Sequence, residues 1–291
     1  TWGWCFVGEP VYHVPAFTAF LFTFSTIGLL FAAVYSITKS PWSFLSVVLI
    51  LTAWYYVKIA LSQYCDILVS YYLLSGIVLL FYAKWKQHGW VGFLAGLSLG
   101  FLSFCKSEGL IAALLIAIII LPYLFFELRQ SNKRLWKTLT IALIAGLIIG
   151  LLATILFKLF YSPGNQTFIN GLTSQIRPAK PIRLQVIFMF YLLEFISPHW
   201  NGLWFVIGVG ILLTLGRCFR RELIFIPLFL AGYLAIVTFY YFMNTYFRID
   251  WWLQVTYHRI VFSLLPIFIF WIFLAFWMKK EKRITSDAQS S

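Results

Sequence analysis

Read for where its apolar positions fall, the chain is a series of long, nearly unbroken hydrophobic runs separated by short polar breaks. Nine runs predict membrane-crossing helices: 14–37, 43–61, 67–84, 90–105, 109–127, 138–160, 200–216, 223–245 and 260–278. A bilayer core needs roughly 20 apolar residues per helix. The breaks carry turn chemistry or charge, as in Lys39-Ser40-Pro41, the stretch from Lys84 to Gly89, and Ser162-Pro163-Gly164-Asn165. One further apolar segment, 184–197, is too short to span comfortably, and a crossing there would invert the three helices that follow. It is expected as an amphipathic helix on the outer interface, with Arg183 at its start and Glu194 on its polar side. The expected fold class is therefore all-α, a polytopic membrane bundle. One transmembrane domain covers residues 1–283, and a polar, disordered tail covers 284–291. No internal repeat or low-complexity tract is visible.

Composition supports the class. Hydrophobic residues make up 62% of the chain and charged residues 11%, whereas a soluble domain carries roughly 25% charged residues. A water-soluble fold of 291 residues could not hide so much apolar surface, so lipid must cover the excess. The formal net charge of +13 would raise the question of nucleic acid. Here, however, the basic residues form short clusters between apolar runs, which is a membrane orientation signal. With residues 1–13 outside, the inner loops collect Lys39; Lys84 and Lys86; Arg129, Lys133, Arg134 and Lys137; Arg217, Arg220 and Arg221; and Lys279, Lys280, Lys282 and Arg283. Against these stand only Glu127, Glu222, Glu281 and Asp287. Nine crossings with the N-terminus outside and the C-terminus inside satisfy the positive-inside rule at every inner loop, and the reverse violates it at all five. The plasma or inner membrane is the expected location, with any site facing outward. Cys5, Cys65, Cys105 and Cys218 lie far apart and form no CxxC pair, so neither a disulfide nor a metal framework is indicated. No signal peptide is present. The chain begins at Thr1, already polar and aromatic, and is expected to be the later part of a longer chain.

An ionisable side chain near membrane depth is costly, which makes it a functional hypothesis by default. On the expected topology the outer ends hold Glu9, His13, Lys58, Asp66, Lys106, Glu108, Lys158, Glu194, Asp250, His258 and Arg259, so both signs meet there. The inner face is nearly all basic and reads as plain orientation charge. Three local patterns stand out. Ser62-Gln63-Tyr64-Cys65-Asp66 opens a helix, and Asp66 sits where the positive end of the dipole favours a carboxylate, a capping role compatible with chemistry. Phe104-Cys105-Lys106-Ser107-Glu108-Gly109 is a tight connection that sets a cation and an anion at the bilayer surface, where a snorkelling pair is the plain alternative. Asp250-Trp251-Trp252 through Tyr257-His258-Arg259 reads as an outer loop leading into the last helix. Its Trp and Tyr residues are ordinary interfacial belt. Arg259 enters a lipid-facing region on the side where positive charge is disfavoured, and phosphate is its natural partner.

These motifs carry a resemblance. Glu9-Pro10-Val11-Tyr12-His13-Val14-Pro15 leading into a helix, then Tyr64-Cys65-Asp66 opening the third, resemble the multi-span GT-C glycosyltransferases that use lipid-phosphate sugars. Within them the match is to the protein-mannosyltransferase and aminoarabinose-transferase branch. The run from Gly96 through Lys106-Ser107-Glu108-Gly109 to Leu110 is similar to that branch's "GL…G…TKxEG" hairpin and is the most specific match. Tyr257-His258-Arg259 followed by Pro266 is similar to its late "S/T-x-x-R…P" helix start. The resemblance covers most of the chain, in short motifs. It implies that a sugar leaves a polyprenyl phosphate in the outer leaflet while an acceptor hydroxyl or amine attacks the anomeric carbon. A carboxylate deprotonates or orients the acceptor, and basic residues stabilise the departing phosphate. By this resemblance Asp66 and Glu9 are the catalytic candidates. Lys106 and Arg259 face phosphate, and Glu108, His258, Tyr257, Lys58 and His13 are further substrate-binding candidates. A divalent cation is compatible with two carboxylates, and the cofactor stays unknown. The implied partners are a polyprenyl-phosphate-linked sugar, a glycan, lipid or protein acceptor, and membrane lipids, with no nucleic acid. Two departures matter. The family's first helix, and an acidic residue in its first outer loop regarded as the catalytic base, precede the point where this chain starts, so Glu9 need not be that base. Cys65 also replaces a commoner small residue before the aspartate. Asn165-Gln166-Thr167 matches a glycosylation sequon in an outer loop and is read as chance.

Two rival functions are kept. A secondary transporter would place ionisable groups and broken helices near the midplane. Here the charges gather at outer ends, and helix middles such as Ile111 to Leu121 are purely apolar. A non-catalytic membrane scaffold, or a degenerate transferase, is the other. No motif encodes the sugar, the acceptor, the carrier length or the oligomeric state.

Overall fold

The computed structural model describes residues 8–9, 11, 13–62, 64–129, 132–160, 181–244 and 248–289. Pro10, Tyr12, the break at Ser162-Pro163-Gly164-Asn165 and the sequon at Asn165 lie outside the described residues. Every regular element among those described is helical. In chain order they are α1 (His13–Thr38), a 3-10 turn (Pro41–Ser43), α2 (Phe44–Thr52), α3 (Trp54–Leu61), α4 (Asp66–Trp85), α5 (Val91–Cys105), α6 (Ser107–Leu128) and α7 (Lys133–Phe160). Then come α8 (Ile182–Phe195), a 3-10 turn (Pro198–Trp200), α9 (Leu203–Leu213), α10 (Leu215–Cys218), α11 (Phe225–Met243) and α12 (Ile249–Gln289). Six segments are long and apolar enough to cross a membrane: His13–Thr38, Asp66–Trp85, Glu108–Leu128, Lys133–Phe160, Phe225–Met243 and Ile249–Trp277. Eight are reached if each of two bent helix pairs counts as one span. Helices must form here because lipid offers no partner for backbone N–H and C=O groups. This is a helical multi-pass membrane protein.

All nine expected segments contain helix, but three are not plain spans. The 43–61 run breaks at Ala53 (ψ 86°), and the chain bends by 72° between the Pro41–Thr52 stretch and α3. Nothing in the residues around Ala53 announces that break. The 90–105 run forms α5, whose 15 residues make about 22 Å of helix axis against a hydrocarbon core of about 30 Å. The 200–216 run starts its helix only at Leu203, because Asn201 (φ 47°) and Gly202 (φ 71°) are both left-handed. Such a conformation suits an Asn-Gly pair. The chain turns by 113° there, between Ile182–Trp200 and α9.

The largest departure is at the end. The stretch 249–259, read as loop, is helix, so Arg259 lies in the third turn of α12 rather than ahead of it. Leu253, Tyr257, Ile260, Val261 and Leu264 are all buried and fall on one helical stripe. The polar residues between them, Gln254, Thr256 and His258, disguise that stripe in the sequence. Asp250 in the first turn suits the helix dipole. α12 is buried on most sides and packs against α1, α2, α4, α8, α9 and α11. It continues as helix to Gln289, into the polar residues that composition reads as an unstructured tail.

A seam of small residues brings α5 and α7 into close contact. Gly92, Gly96 and Gly100 recur every fourth residue on α5 and meet α7 at Leu139, Leu143 and Gly150. A Cβ at Gly96 would lie 2.0 Å from the carbonyl oxygen of Leu143, and one at Gly146 would lie 2.0 Å from that of Phe93. Such small-residue spacing lets backbones approach where no water drives helices together. The seam ends in a Ser103–Thr154 hydroxyl hydrogen bond of 2.6 Å. Gly109 then allows the sharp α5–α6 turn, since a Cβ there would sit 2.0 Å from Leu102 O. That turn carries Lys106.

Candidate functional site

Four charged side chains from three parts of the chain meet at one end of the bundle. Asp66, the first residue of α4, is only 2% exposed. Arg259 Nε donates to its Oδ2 at 2.7 Å, and Lys106 Nζ donates to its Oδ1 at 3.2 Å. Lys106 also pairs with Glu108 Oε2 at 2.8 Å. The result is an alternating chain Arg259–Asp66–Lys106–Glu108, joining residues 193 and 40 positions apart at its two Asp66 contacts. Ser263 Oγ, one turn along α12, donates to Arg259 O at 3.1 Å and lies 3.4 Å from Asp66 O. The capping role considered for Asp66 is not what the structure shows. The N-cap of α4 is Cys65, which makes no side-chain capping bond, and both Asp66 oxygens are taken by cations.

The cations are held without being used up. The Arg259 guanidinium lies over the Tyr64 ring at 4.2 Å. Its Nε is committed to Asp66, and neither terminal nitrogen donates a hydrogen bond among the described residues. For Lys106, burial acts to lower the pKa, but the carboxylates of Glu108 and Asp66 outweigh it and raise the value above the ordinary 10.5. A lysine raised in the fold contributes stability below its ordinary pKa and loses it only as pH rises through the raised one. Lys106 is therefore a cation throughout the neutral range.

Beside this cluster lies an aromatic one. Tyr55 of α3 stacks on His199 (4.6 Å, 19°) and meets His258 edge-on at 5.3 Å and Trp200 at 5.8 Å. Lys58 lies 5.2 Å from the Trp54 ring and 5.8 Å from Tyr55. Tyr257 turns away from both cations and stacks on Tyr191 of α8 at 4.2 Å and 9°. Glu194, expected on the polar side of its helix, instead shares a face with buried Ile187 and with Tyr191, and accepts from Trp200 Nε1 at 2.7 Å. Arg183 anchors the start of α8 by donating to Tyr241 O at 2.8 Å and to Asn244 O at the end of α11. Glu9, which precedes α1, and His13, its first residue, are exposed, and no hydrogen bond or ion pair links either to Asp66 among the described residues. Sequence reasoning missed Tyr55, His199 and Trp200. Only the turn residues around Pro198 and Asn201 hinted that something bends back there.

Farther along the same helices, α1, α4 and α5 line a cleft of about 530 Å³, with Phe22, Ser25, Tyr71, Tyr72, Ser98 and Phe101 in its wall and none of the four ionic side chains. Tyr71 lies five residues past Asp66 and Phe101 five before Lys106, so the cleft begins about 7 Å down both helices. It continues to Leu79 and Leu94. At the other end of α4 two of the basic residues share a carboxylate. Lys84 Nζ pairs with Glu127 Oε1 at 3.1 Å and also donates to Tyr123 Oη, while Arg221 Nε pairs with Glu127 Oε2 at 2.5 Å. The residues around Asp66 do not make a divalent-cation site. Both its oxygens already face cations, and no group of three or more His, Cys, Asp or Glu side chains gathers among the described residues. No protein-family model matches the chain, and no curated protein or solved structure matches it.

Proposed function

We propose that this protein is a membrane glycosyltransferase that moves a sugar from a polyprenyl-phosphate donor to an acceptor on the outer face. The observation that supports it best is the buried Asp66, which holds Lys106 and Arg259 together at one end of a bundle of membrane-crossing helices. A lipid phosphate is an anionic head on a long apolar tail. It matches a cation pair held at the end of membrane-crossing helices better than a soluble anion does. Asp66 keeps two like charges adjacent and aims them. With both oxygens engaged, it serves as a positioning residue and not as the group that takes a proton. Arg259's terminal nitrogens and the remaining Lys106 proton are then available to the phosphate. They would gain strength as the bond to the sugar breaks and charge collects on the phosphate oxygen. The cluster's place at the head of α4, away from the midplane, favours this reading over a transporter.

Binding of undecaprenyl phosphate in vesicles tests the phosphate role. Arg259→Gln and Lys106→Met should each weaken it roughly 10- to 100-fold, the scale of losing a charge-assisted hydrogen bond. Wild-type affinity in both variants would refute the assignment. The same reading takes α5, the bent α2–α3 pair and α9 as crossings, giving nine spans with the N-terminus outside. The 113° turn supports it by laying α8 nearly across the axis of α9. In a cysteine-free background on intact cells, an impermeant maleimide should label Arg248→Cys and leave His88→Cys untouched. The opposite pattern would reverse the orientation.

A further inference from the structure

The opposite end of the bundle carries a groove that the ionic cluster does not touch. Asp66 opens α4 and Trp85 closes it, and the Trp85 ring meets that of Trp277 on α12 at 5.6 Å. Around Trp277, the end of α1 together with α2, α9 and α12 encloses a groove of about 460 Å³. Its wall changes character along its length. Thr38, Ser40 and Ser43 form a polar rim where the chain passes from α1 to α2. The rim is a braced ledge, since Ser40 Oγ accepts from Trp42 N at 3.4 Å and Ser43 Oγ donates to Ser40 O at 2.7 Å. Away from the rim the wall is apolar, from Leu45 and Leu49 to Val206, Val209 and Ile269. On α12 the groove runs from Ile269 to Trp277, about 12 Å of helix axis. That is close to one leaflet's half of a hydrocarbon core of about 30 Å. Basic residues gather at the rim. Lys39 stands between Thr38 and Ser40, is exposed, and holds a left-handed backbone (φ 49°) that glycine or asparagine adopts with less strain. On α12 the stripe that lines the groove at Ile269, Phe273 and Phe276 continues by helical register to Lys280 and Arg283. Glu281 is the acid in that turn.

We infer that this groove binds one anionic membrane phospholipid, with an acyl chain between α2, α9 and α12 and the phosphate at the polar rim. An acyl chain matches an apolar groove one leaflet deep. A phosphodiester matches a rim of hydroxyls flanked by basic residues, and basic clusters beside a membrane select anionic over zwitterionic headgroups. Charge also decides against a second copy of this chain as the occupant. A copy in the same membrane would bring its own Lys39, Lys280 and Arg283 to the same level, where like charges repel. The site is separate from the Asp66 cluster. Trp277 lies 18 residues beyond Arg259 on α12, about 27 Å along the helix. The inference therefore does not depend on the transferase reading.

Native mass spectrometry of the full chain, released from lipid discs of equal phosphatidylglycerol and phosphatidylcholine, tests the site. Each lysine or arginine near a membrane surface favours an anionic lipid by about fivefold. The wild type should therefore retain one phosphatidylglycerol in preference to phosphatidylcholine by roughly 10-fold or more. Val209→Trp, at a half-exposed position in the wall, fills the groove and should lose that lipid. Leu212→Trp adds comparable bulk to α9 outside the groove and should keep it. Lys39→Asn, which suits the left-handed backbone, combined with Lys280→Gln should bring the two lipids level. That pair removes charge without adding bulk, so it decides the matter even if Val209→Trp does not fold. Equal retention of both lipids by the wild type overturns the inference. So does a phosphatidylglycerol preference that survives Val209→Trp or the paired lysine change. A two-chain mass that Val209→Trp reduces to one chain would make the groove a dimer interface instead.

Discussion

Asp66→Asn should destabilise the folded protein by roughly 3 kcal/mol, the lower end of the cost of removing one partner from a buried ion pair. The lower end applies because Lys106 and Arg259, at 29% and 21% exposed, keep some contact with their surroundings. Asparagine caps a helix about as well as aspartate, so a capping role alone would make this change nearly silent. Because Asp66 separates two cations, the substitution instead leaves Lys106 and Arg259 side by side with one carboxylate, Glu108, between them and neutrality. Binding of undecaprenyl phosphate should change as well, since the guanidinium loses the bond that aims it. A double-mutant cycle supplies the decisive measurement. Asp66→Asn in an Arg259→Gln background should cost markedly less than in the wild type, because the stranded charge is gone, and residues in direct contact couple in this way. Unfolding of the purified protein in lipid discs would show it. Strictly additive costs would mean the two side chains do not depend on each other.

Gly96→Val and Gly146→Val should each prevent the bundle from assembling. In both cases the added Cβ meets a backbone carbonyl oxygen at 2.0 Å, an atom that cannot rotate aside, so α5 and α7 must move apart. Overpacking a core commonly costs 1–3 kcal/mol, and a clash with backbone along a whole helix seam exceeds what flexible side chains absorb. The effect should reach the site although Gly96 lies ten residues below Lys106, about 15 Å along the helix. Displaced α5 carries the turn that delivers Lys106 to Asp66. Gly28→Ala and Gly208→Ala provide the control, because nothing lies within 4 Å of the added carbon at either position. They should be neutral or gain up to about 1 kcal/mol from reduced chain entropy. The readout is the yield of folded protein by size-exclusion chromatography in mild detergent. Equal yields from the Gly96 and Gly28 variants would contradict the seam.

Among the described residues, the sequence by itself determined the class and most of the helices. A run of apolar residues in lipid has no other way to satisfy its backbone than to coil, and that constraint is local, so α1, α4, α6, α7 and α11 fall within a few residues of the apolar runs. It also narrowed the chemistry to helix ends, because charge at membrane depth is too costly to be incidental. Asp66, Lys106, Glu108 and Arg259 were each legible as unusual residues for that reason. Their contact was not. In a soluble helix the apolar stripe reveals which face is buried, but lipid is as apolar as a protein core, so these helices look alike on every side. The direction each helix faces, and hence its neighbours, is left to packing. That is why Glu194 turned inward and why Lys84 and Arg221 found Glu127. The glycines of α5 and α7 wrote part of the tertiary contact into the sequence, since a missing side chain marks where two backbones touch. The pairing of Asp66 with Arg259 across 193 residues was decided by shape, through the way α12 lies against α4.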